Sequence, residues 1–517
     1  MTPLSPVDFL DRAADVWPDA PAIVEEGGLV LTYSDFRLRA DRLADALRAE
    51  GVRRGDRVAV LAPNGHVMLE AHFGVPGAGA VLVALNTRLG PDEYAYILEH
   101  SGARVLIVDP GLLPVLEPIR GGLRDELRVV TLGDEYEDWL AGSSGAGVLA
   151  PVDENDLIAI NYTSGTTGRP KGVMYTHRGA FLNAMGDTLT FGLSADSVYL
   201  WTLPMFHCNG WCFTWAVTAA GGRHVCLPKP DPGRVLECIA DHQVTHLCGA
   251  PVVVSSIAMH PDAADRQFPW GVRVAVGGAP PAPHVIESAE SMGMRILHLY
   301  GMTETYGPSL VCEPQPGWAG EPLRVRAELA ARQGVRTAVV RDIRVVDVDG
   351  VDVPRDATTL GEIIVDSATV MTGYYRDEEA TSATLRDGWL HSGDLAVVHP
   401  DGSIEIRDRA KDVIISGGEN ISSVEVEQVL LDHPSVGDAA VVAAPDARWG
   451  EVPVAFVTLA AGGQATEAEL IEHVRARLAR FKAPRSVTFT DLPRTATGKV
   501  QKAELRARAR ESAHPNG

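Results

Sequence analysis

The segment Thr163-Ser164-Gly165-Thr166-Thr167-Gly168-Arg169-Pro170-Lys171-Gly172 gathers small hydroxyl side chains, glycines and two cations into one short stretch. Those residue types suit surrounding a polyphosphate. Glycine lets a backbone approach an anion closely, exposed N–H groups and hydroxyls donate hydrogen bonds, and lysine supplies charge. The spacing is not that of a Walker A loop, G-x-x-x-x-G-K-[ST]: counted from Gly165, Pro170 falls on the second glycine and Gly172 on the Ser/Thr. Other stretches carry reactive groups at turn-like positions: Tyr300-Gly301-Met302-Thr303-Glu304-Thr305, His391-Ser392-Gly393-Asp394 and Pro493-Arg494-Thr495-Ala496-Thr497-Gly498-Lys499. Taken alone, each has a plain reading, as a surface carboxylate, a capped turn or a Gly-Lys turn.

The elements that must position these groups are legible as apolar runs. Leu157-Ile158-Ala159-Ile160 runs into the phosphate loop, Val272-Arg273-Val274-Ala275-Val276 into Gly277-Gly278, and Ile296-Leu297-His298-Leu299 into Tyr300-Gly301. Folds of the α/β class bind ligands just beyond the carboxyl ends of such strands. Further runs at Arg57–Leu61, Val81–Leu85 and Val105–Val108 alternate with amphipathic helical patterns, which predicts α/β layers. A chain of 517 residues exceeds what one core serves. After Asp401-Gly402 a second pattern begins, with a helix near Ser423 to Leu431, a strand Ala439 to Ala443, a helix Glu467 to Arg480 and a strand Val487 to Phe489. The expected division is a large domain of layered sheets and helices over 1–407, a hinge at 408–412, and a small α+β domain over 413–517.

Composition excludes several classes. The formal charge of −22, from 68 acidic against 46 basic residues, disfavours general attraction to nucleic acid or anionic membrane. No apolar run approaches the roughly 20 residues that span a bilayer. No basic-then-apolar stretch opens the sequence, and Pro515-Asn516-Gly517 is not a peroxisomal address, so the cytoplasm is the expected compartment. The six cysteines lack paired CxxC spacing, which argues against zinc and against a disulfide framework.

Tyr162 to Gly172 resembles the signature loop of the adenylate-forming superfamily, which includes acyl-CoA synthetases, adenylation domains of peptide synthetases and beetle luciferases. The resemblance extends from Thr2-Pro3-Leu4 to Lys502 and implies roles residue by residue. Thr163, Ser164, Gly165, Thr166, Thr167, Gly168 and Lys171 would hold the ATP phosphates. Gly278, Ala279 and Pro280 would line adenine with backbone, with Tyr300 and Gly301 flanking the base. Thr303 would contact phosphate and Glu304 would hold Mg²⁺, a hard cation that takes one or two carboxylates from a protein. Asp394 would accept both ribose hydroxyls, with Arg409 beside it. Lys411 would be the hinge about which the small domain turns, Gly418 would lie by the pantetheine arm of CoA, and Lys499 would neutralise charge between carboxylate and α-phosphate.

The acid pocket is expected at Pro204 to Phe213, with Phe206, Trp211 and Phe213 as an aromatic wall and Gly249-Ala250-Pro251-Val252-Val253-Val254 opposite. His207 resembles the family's gating residue. No aspartate stands here to pair an α-ammonium, which disfavours free amino acids, because a buried amine without a partner costs several kcal/mol. The stretches Phe206-His207-Cys208-Asn209-Gly210-Trp211, Arg332-Gln333-Gly334-Val335-Arg336 and Ile414 to Ser423 look like the medium-chain branch that contains 3-methylmercaptopropionyl-CoA ligases. The implied activity is an AMP-forming ligase, monomeric or homodimeric, that joins a short- to medium-chain or aryl acid to CoA through an acyl-adenylate, with ATP, Mg²⁺ and CoA. Other acceptors stay open: a carrier protein's phosphopantetheine arm or a nitrogen nucleophile. So do a phosphotransferase and a catalytically silent nucleotide binder.

Overall fold

The computed structural model of the chain describes residues 3–145, 153–163, 169–278, 283–417, 419–446, 448–460, 462–494 and 500–513. It divides into two compact units: Met1–Ala330 with Val335–Asp342 and Val365–Leu390, and Ala331–Gly334 with Ile343–Ile364 and His391–Gly517.

The larger unit holds two sheets. One has seven strands, in the order Gly373–Tyr374, Lys171–Thr176, Leu157–Thr163, Val81–Ala84, Arg57–Leu61, Val105–Val108, Arg128–Thr131. Val81–Ala84, Arg57–Leu61 and Val105–Val108 pair in parallel and are almost wholly buried. That is why they read as unbroken Val/Leu/Ala runs, since a parallel strand covered on both faces has no solvent side to alternate with. Leu157–Thr163 and Lys171–Thr176 instead pair antiparallel. The second sheet has nine strands, among them Met294–Met302, Val272–Val276, His246–Gly249, Val198–Trp201 and Arg223–Cys226 as parallel neighbours. Met294–Met302 outruns the expected Ile296 to Leu299, because Gly307–Val311 pairs antiparallel with its end and carries Tyr300 and Gly301 on the strand rather than after it.

In the smaller unit Val436–Asp446 and Gly450–Leu459 form a long antiparallel pair, joined in parallel by Val487–Phe489. Helices Ser423–Leu431 and Glu467–Arg475 pack through Val426, Leu430, Leu470 and Val474 against one face, and Leu505 and Ala509 of Lys502–Ala513 pack with Ala440, Val442 and Phe456. The strand exceeds the expected Ala439 to Ala443 at both ends. The helix from Glu467 stops at Arg475 rather than Arg480, and Leu478 beyond it packs onto the core. Among the described residues no helix is long and apolar enough to cross a membrane.

Candidate active site

The loop expected to hold phosphate joins two antiparallel strands whose last register pair is Thr163 with Lys171, so these two residues stand at the loop's neck. Ser164, Gly165, Thr166, Thr167 and Gly168 lie outside the described residues, as do Ala279, Pro280, Gly418 and Lys499. Lys171 Nζ sits 4.8 Å from the ring centroid of Tyr374. The Tyr374 hydroxyl donates to Glu304 Oε1 at 2.7 Å. Burial, then the Glu304 carboxylate beside it, holds this hydroxyl well above the ordinary tyrosine range, so it stays a proton donor. Tyr374 arrives here by long-range pairing: Gly373 and Tyr374 add to the sheet edge opposite Met174 and Val173, and the Met371 N–H donates to the Glu304 carbonyl at 2.8 Å. The sequence reading missed it.

Among the described residues no group of three or more His, Cys, Asp or Glu side chains converges to hold a metal. A Mg²⁺ that draws most of its ligands from phosphate and water needs only a hard anionic oxygen from the protein. The half-buried Glu304 carboxylate, one oxygen already oriented by a phenol, fits that donor set.

The side expected to take adenine and the acid is built from the ends of neighbouring parallel strands. Val276 pairs with Gly249 on one side and His298 on the other, which brings Gly249, the Gly277-Gly278 turn and Tyr300 to one sheet edge. Two glycines there are dictated by close approach. A Cβ on Gly301 would fall 2.0 Å from the Gly307 carbonyl oxygen, and one on Gly277 would fall 2.7 Å from Trp211 Cη2. The indole of Trp211 therefore lies directly against the Gly277 turn. Phe206 is 8% exposed. Phe213 is not part of that wall: it is fully buried, edge-on to Phe191 at 5.0 Å and stacked on Tyr199 at 5.1 Å, which makes it core. Val254 likewise turns into the apolar core beneath helix Pro251–Ala258.

Between His207 and Phe213 the backbone makes a left-handed turn, with φ of 48, 52, 63, 53 and 65° at Cys208, Asn209, Gly210, Trp211 and Cys212. Each non-glycine residue there costs roughly 1–2 kcal/mol, so the surroundings must enforce the turn. Buried Asn209 is the main tie. The Tyr306 hydroxyl donates to its Oδ1 at 3.1 Å, and its Nδ2 then donates to His72 Nε2 at 2.9 Å, which assigns the His72 proton to Nδ1, facing the Met68 carbonyl at 2.6 Å. Tyr306 stacks on Tyr175 at 3.5 Å, and the Tyr175 hydroxyl donates to the Thr303 carbonyl at 2.7 Å. Cys208 Sγ meets Thr303 Oγ1 at 3.6 Å. The turn that bears His207 and Trp211 is thus wired to the turn that bears Thr303 and Glu304.

Burial pushes His72 down to about 4 and His224, which accepts a hydrogen bond from Trp201 Nε1 and pairs with Thr218, down to about 3. Both pKa values lie below the unfolded value, so each histidine adds stability that is complete above about pH 6.5 and drains as pH falls toward the folded value. By pH 5 the loss is about 2 kcal/mol per histidine. Thermal unfolding recorded from pH 7 to 5 should show a steep fall in Tm; a flat profile would refute these neutral buried histidines.

In the smaller unit Asp394 and Arg409 are cross-strand partners, Arg409 Nε lying 3.1 Å from Asp394 Oδ1. The Gly393 carbonyl, at φ 71° within the strand, accepts the Ala410 N–H and extends the pairing beyond Asp394 and Arg409. Lys411 is exposed. The helix Lys502–Ala513 holds both flanks of this segment: Lys502 Nζ reaches Glu427 at 2.7 Å and Ser423 Oγ at 2.6 Å, the Ser423 N–H donates to Asp408, and Arg506 pairs with Asp412. The loop bearing Lys499 is pinched at its neck by an Arg494–Val500 bridge and by the Gln501 N–H on the Pro493 carbonyl at 2.8 Å.

Residues 10–375 match the family described as AMP-binding enzyme, and residues 425–499 match the AMP-binding enzyme C-terminal domain. The chain is 43% identical to the peroxisomal acetate/butyrate–CoA ligase of Arabidopsis thaliana, with 99% of this chain and 95% of that protein covered. It is 42% identical to an acetate–CoA ligase of Humulus lupulus over the same shares, 99% and 95%. The crystal structure of an anthranilate–CoA ligase in complex with anthranoyl-AMP superposes with a TM-score of 0.91 at 28% identity, covering 99% of this chain and 98% of that one. Matching domains at both ends and relatives aligned over nearly their whole length settle the family: the chain belongs to the AMP-binding enzymes, the adenylate-forming superfamily, among its acyl-CoA synthetases.

Proposed function

We propose that the chain joins a small carboxylic acid to coenzyme A in two steps, with ATP cleaved to AMP and pyrophosphate. The observation that carries this reading is that Lys171 and Glu304 both meet Tyr374, one at its ring and one at its hydroxyl, a cation suited to phosphate oxygens and an anion suited to a hard metal. The relatives named for acetate, butyrate and anthranilate support a short-chain or aryl acid.

In the first step an oxygen of the acid attacks the α-phosphorus, the bond to the β-phosphate breaks, and pyrophosphate leaves. Lys171 and Thr163 hold the departing phosphates, while Thr303 orients them. Glu304 would hold the Mg²⁺, which when bound neutralises phosphate charge. Asp394 and Arg409 hold the ribose, and Lys499 meets the charge that gathers between carboxylate and α-phosphate. Catalysis of this kind is mostly positioning and charge neutralisation. In the second step the CoA sulfur attacks the acyl carbonyl carbon, the bond to AMP breaks, and the thioester leaves with its thiol proton lost to solvent. Residues 408–412, with Lys411, are the hinge we propose between the steps. Monomer or homodimer is the proposed assembly and the cytoplasm the proposed compartment, which fractionation of producing cells checks.

A panel of acids incubated with ATP, Mg²⁺ and CoA should give AMP and acyl-CoA, best with short-chain or small aryl acids; release of ADP would refute the mechanism. Trp211 sets the depth of the acid site in this reading. Trp211→Ala should move the preference toward longer acids, improving their kcat/KM relative to the best native acid by about tenfold, the worth of one or two methylenes. An unchanged preference would remove Trp211 from the pocket.

A further inference from the structure

We infer that Tyr374 is a positioning residue for the metal and triphosphate, acting through Glu304 and Lys171; the inference rests on the reading of Glu304 as the Mg²⁺ ligand given above. Its hydroxyl fixes one oxygen of the Glu304 carboxylate at 2.7 Å, and its ring face receives the Lys171 ammonium 4.8 Å from the centroid. A cation and an anion that share a neighbour can pair directly, which would withdraw both from an incoming ligand. Among the described residues no ion pair joins Lys171 to Glu304, and what each meets is Tyr374. The phenol satisfies each in part, the anion through a charge-assisted hydrogen bond and the cation through the ring quadrupole.

The ring is held for this task. It is 8% exposed, and its backbone is fixed from behind: the Tyr374 N–H donates to Thr381 Oγ1 at 2.9 Å, and Thr381 Oγ1 donates in turn to the Asp377 carbonyl at 2.7 Å. Gly373 takes φ 145° with Thr381 so close that a Cβ would fall 2.8 Å from its methyl carbon. Helix Glu378–Thr384 therefore clamps the strand end that presents Tyr374. Tyr374→Phe keeps the ring and deletes the hydroxyl alone, whereas Tyr374→Leu deletes both contacts, so the two roles are separable.

The test is a binding cycle on the full chain. Mn²⁺ affinity in the presence of a non-hydrolysable ATP analogue is read by electron paramagnetic resonance, and affinity for the metal-free analogue by calorimetry. Tyr374→Phe should weaken Mn²⁺ about tenfold, as expected for loss of a hydrogen bond to a charged group, and leave metal-free nucleotide binding unchanged. Tyr374→Leu should weaken both. In a Glu304→Gln background the Phe substitution should add nothing. Wild-type Mn²⁺ affinity in Tyr374→Phe, or effects of Tyr374→Phe and Glu304→Gln that simply add, would overturn the inference. The functional reading fails separately, by ADP release or by no AMP from any acid with CoA, and neither result depends on this cycle.

Discussion

Lys499→Ala is expected to cut acid-dependent adenylate formation by about two to three orders of magnitude, the usual effect of deleting one group aimed at developing charge. Thioester formation from supplied acyl-adenylate and CoA should stay near the wild-type rate. The asymmetry follows from the charges that meet. In the first step a carboxylate must approach an anionic triphosphate, and a single ammonium at the α-phosphate offsets the repulsion in transition state and reactants unequally. In the second step the thiol attacks a neutral acyl carbonyl, and AMP is already a good leaving group. The neck of the loop is tied by Arg494 with Val500, and the following helix is anchored by Lys502 and by fully buried Leu505. Pyrophosphate exchange reports the first half, and thioester release from synthetic acyl-AMP reports the second. Equal loss in both halves would sink the assignment of Lys499.

What could be read in advance and what could not divides along chain distance. The candidate phosphate loop could be proposed from sequence because Thr163 to Gly172 carries its chemistry in consecutive residue types. The strands at Leu157, Val272 and Ile296 were legible as short, largely buried apolar runs, interrupted only by Arg273 in the second and His298 in the third. Asp394 and Arg409 could be paired only through the family pattern, and the structure then makes them cross-strand neighbours. Tyr374 was not legible, since its place depends on a two-residue edge strand meeting Met174 and Val173, and such a short strand has no period to detect. Phe213 misled for a related reason: it follows Trp211 closely in sequence, but the left-handed turn reverses direction between them and sends Phe213 into the core. The one local hint of that turn was the dipeptide Asn209-Gly210, the pair of residues that tolerates positive φ best.

That hint leads to the largest expected effect on stability. Asn209→Gly keeps a residue at ease with φ 52° but deletes the side chain that satisfies His72 Nε2 and the Tyr306 hydroxyl, both fully buried. Each orphaned group costs about 1–3 kcal/mol, so the loss should be roughly 2–6 kcal/mol. Asn209→Ala should lose about 1–2 kcal/mol more, because alanine also resists the left-handed region. Denaturant unfolding of the two variants thus separates network from backbone strain. Function should divide along the same line. Tyr306 and Tyr175 lead from Asn209 to the Thr303 carbonyl, so the ATP KM of the folded variant should rise modestly, while the larger change is a loosened acid preference as the turn bearing His207 and Trp211 is released. If Asn209→Gly were as stable as the wild type and equally selective, the network would not be what enforces the turn, and Trp211 would have to owe its position to the Gly277 contact alone.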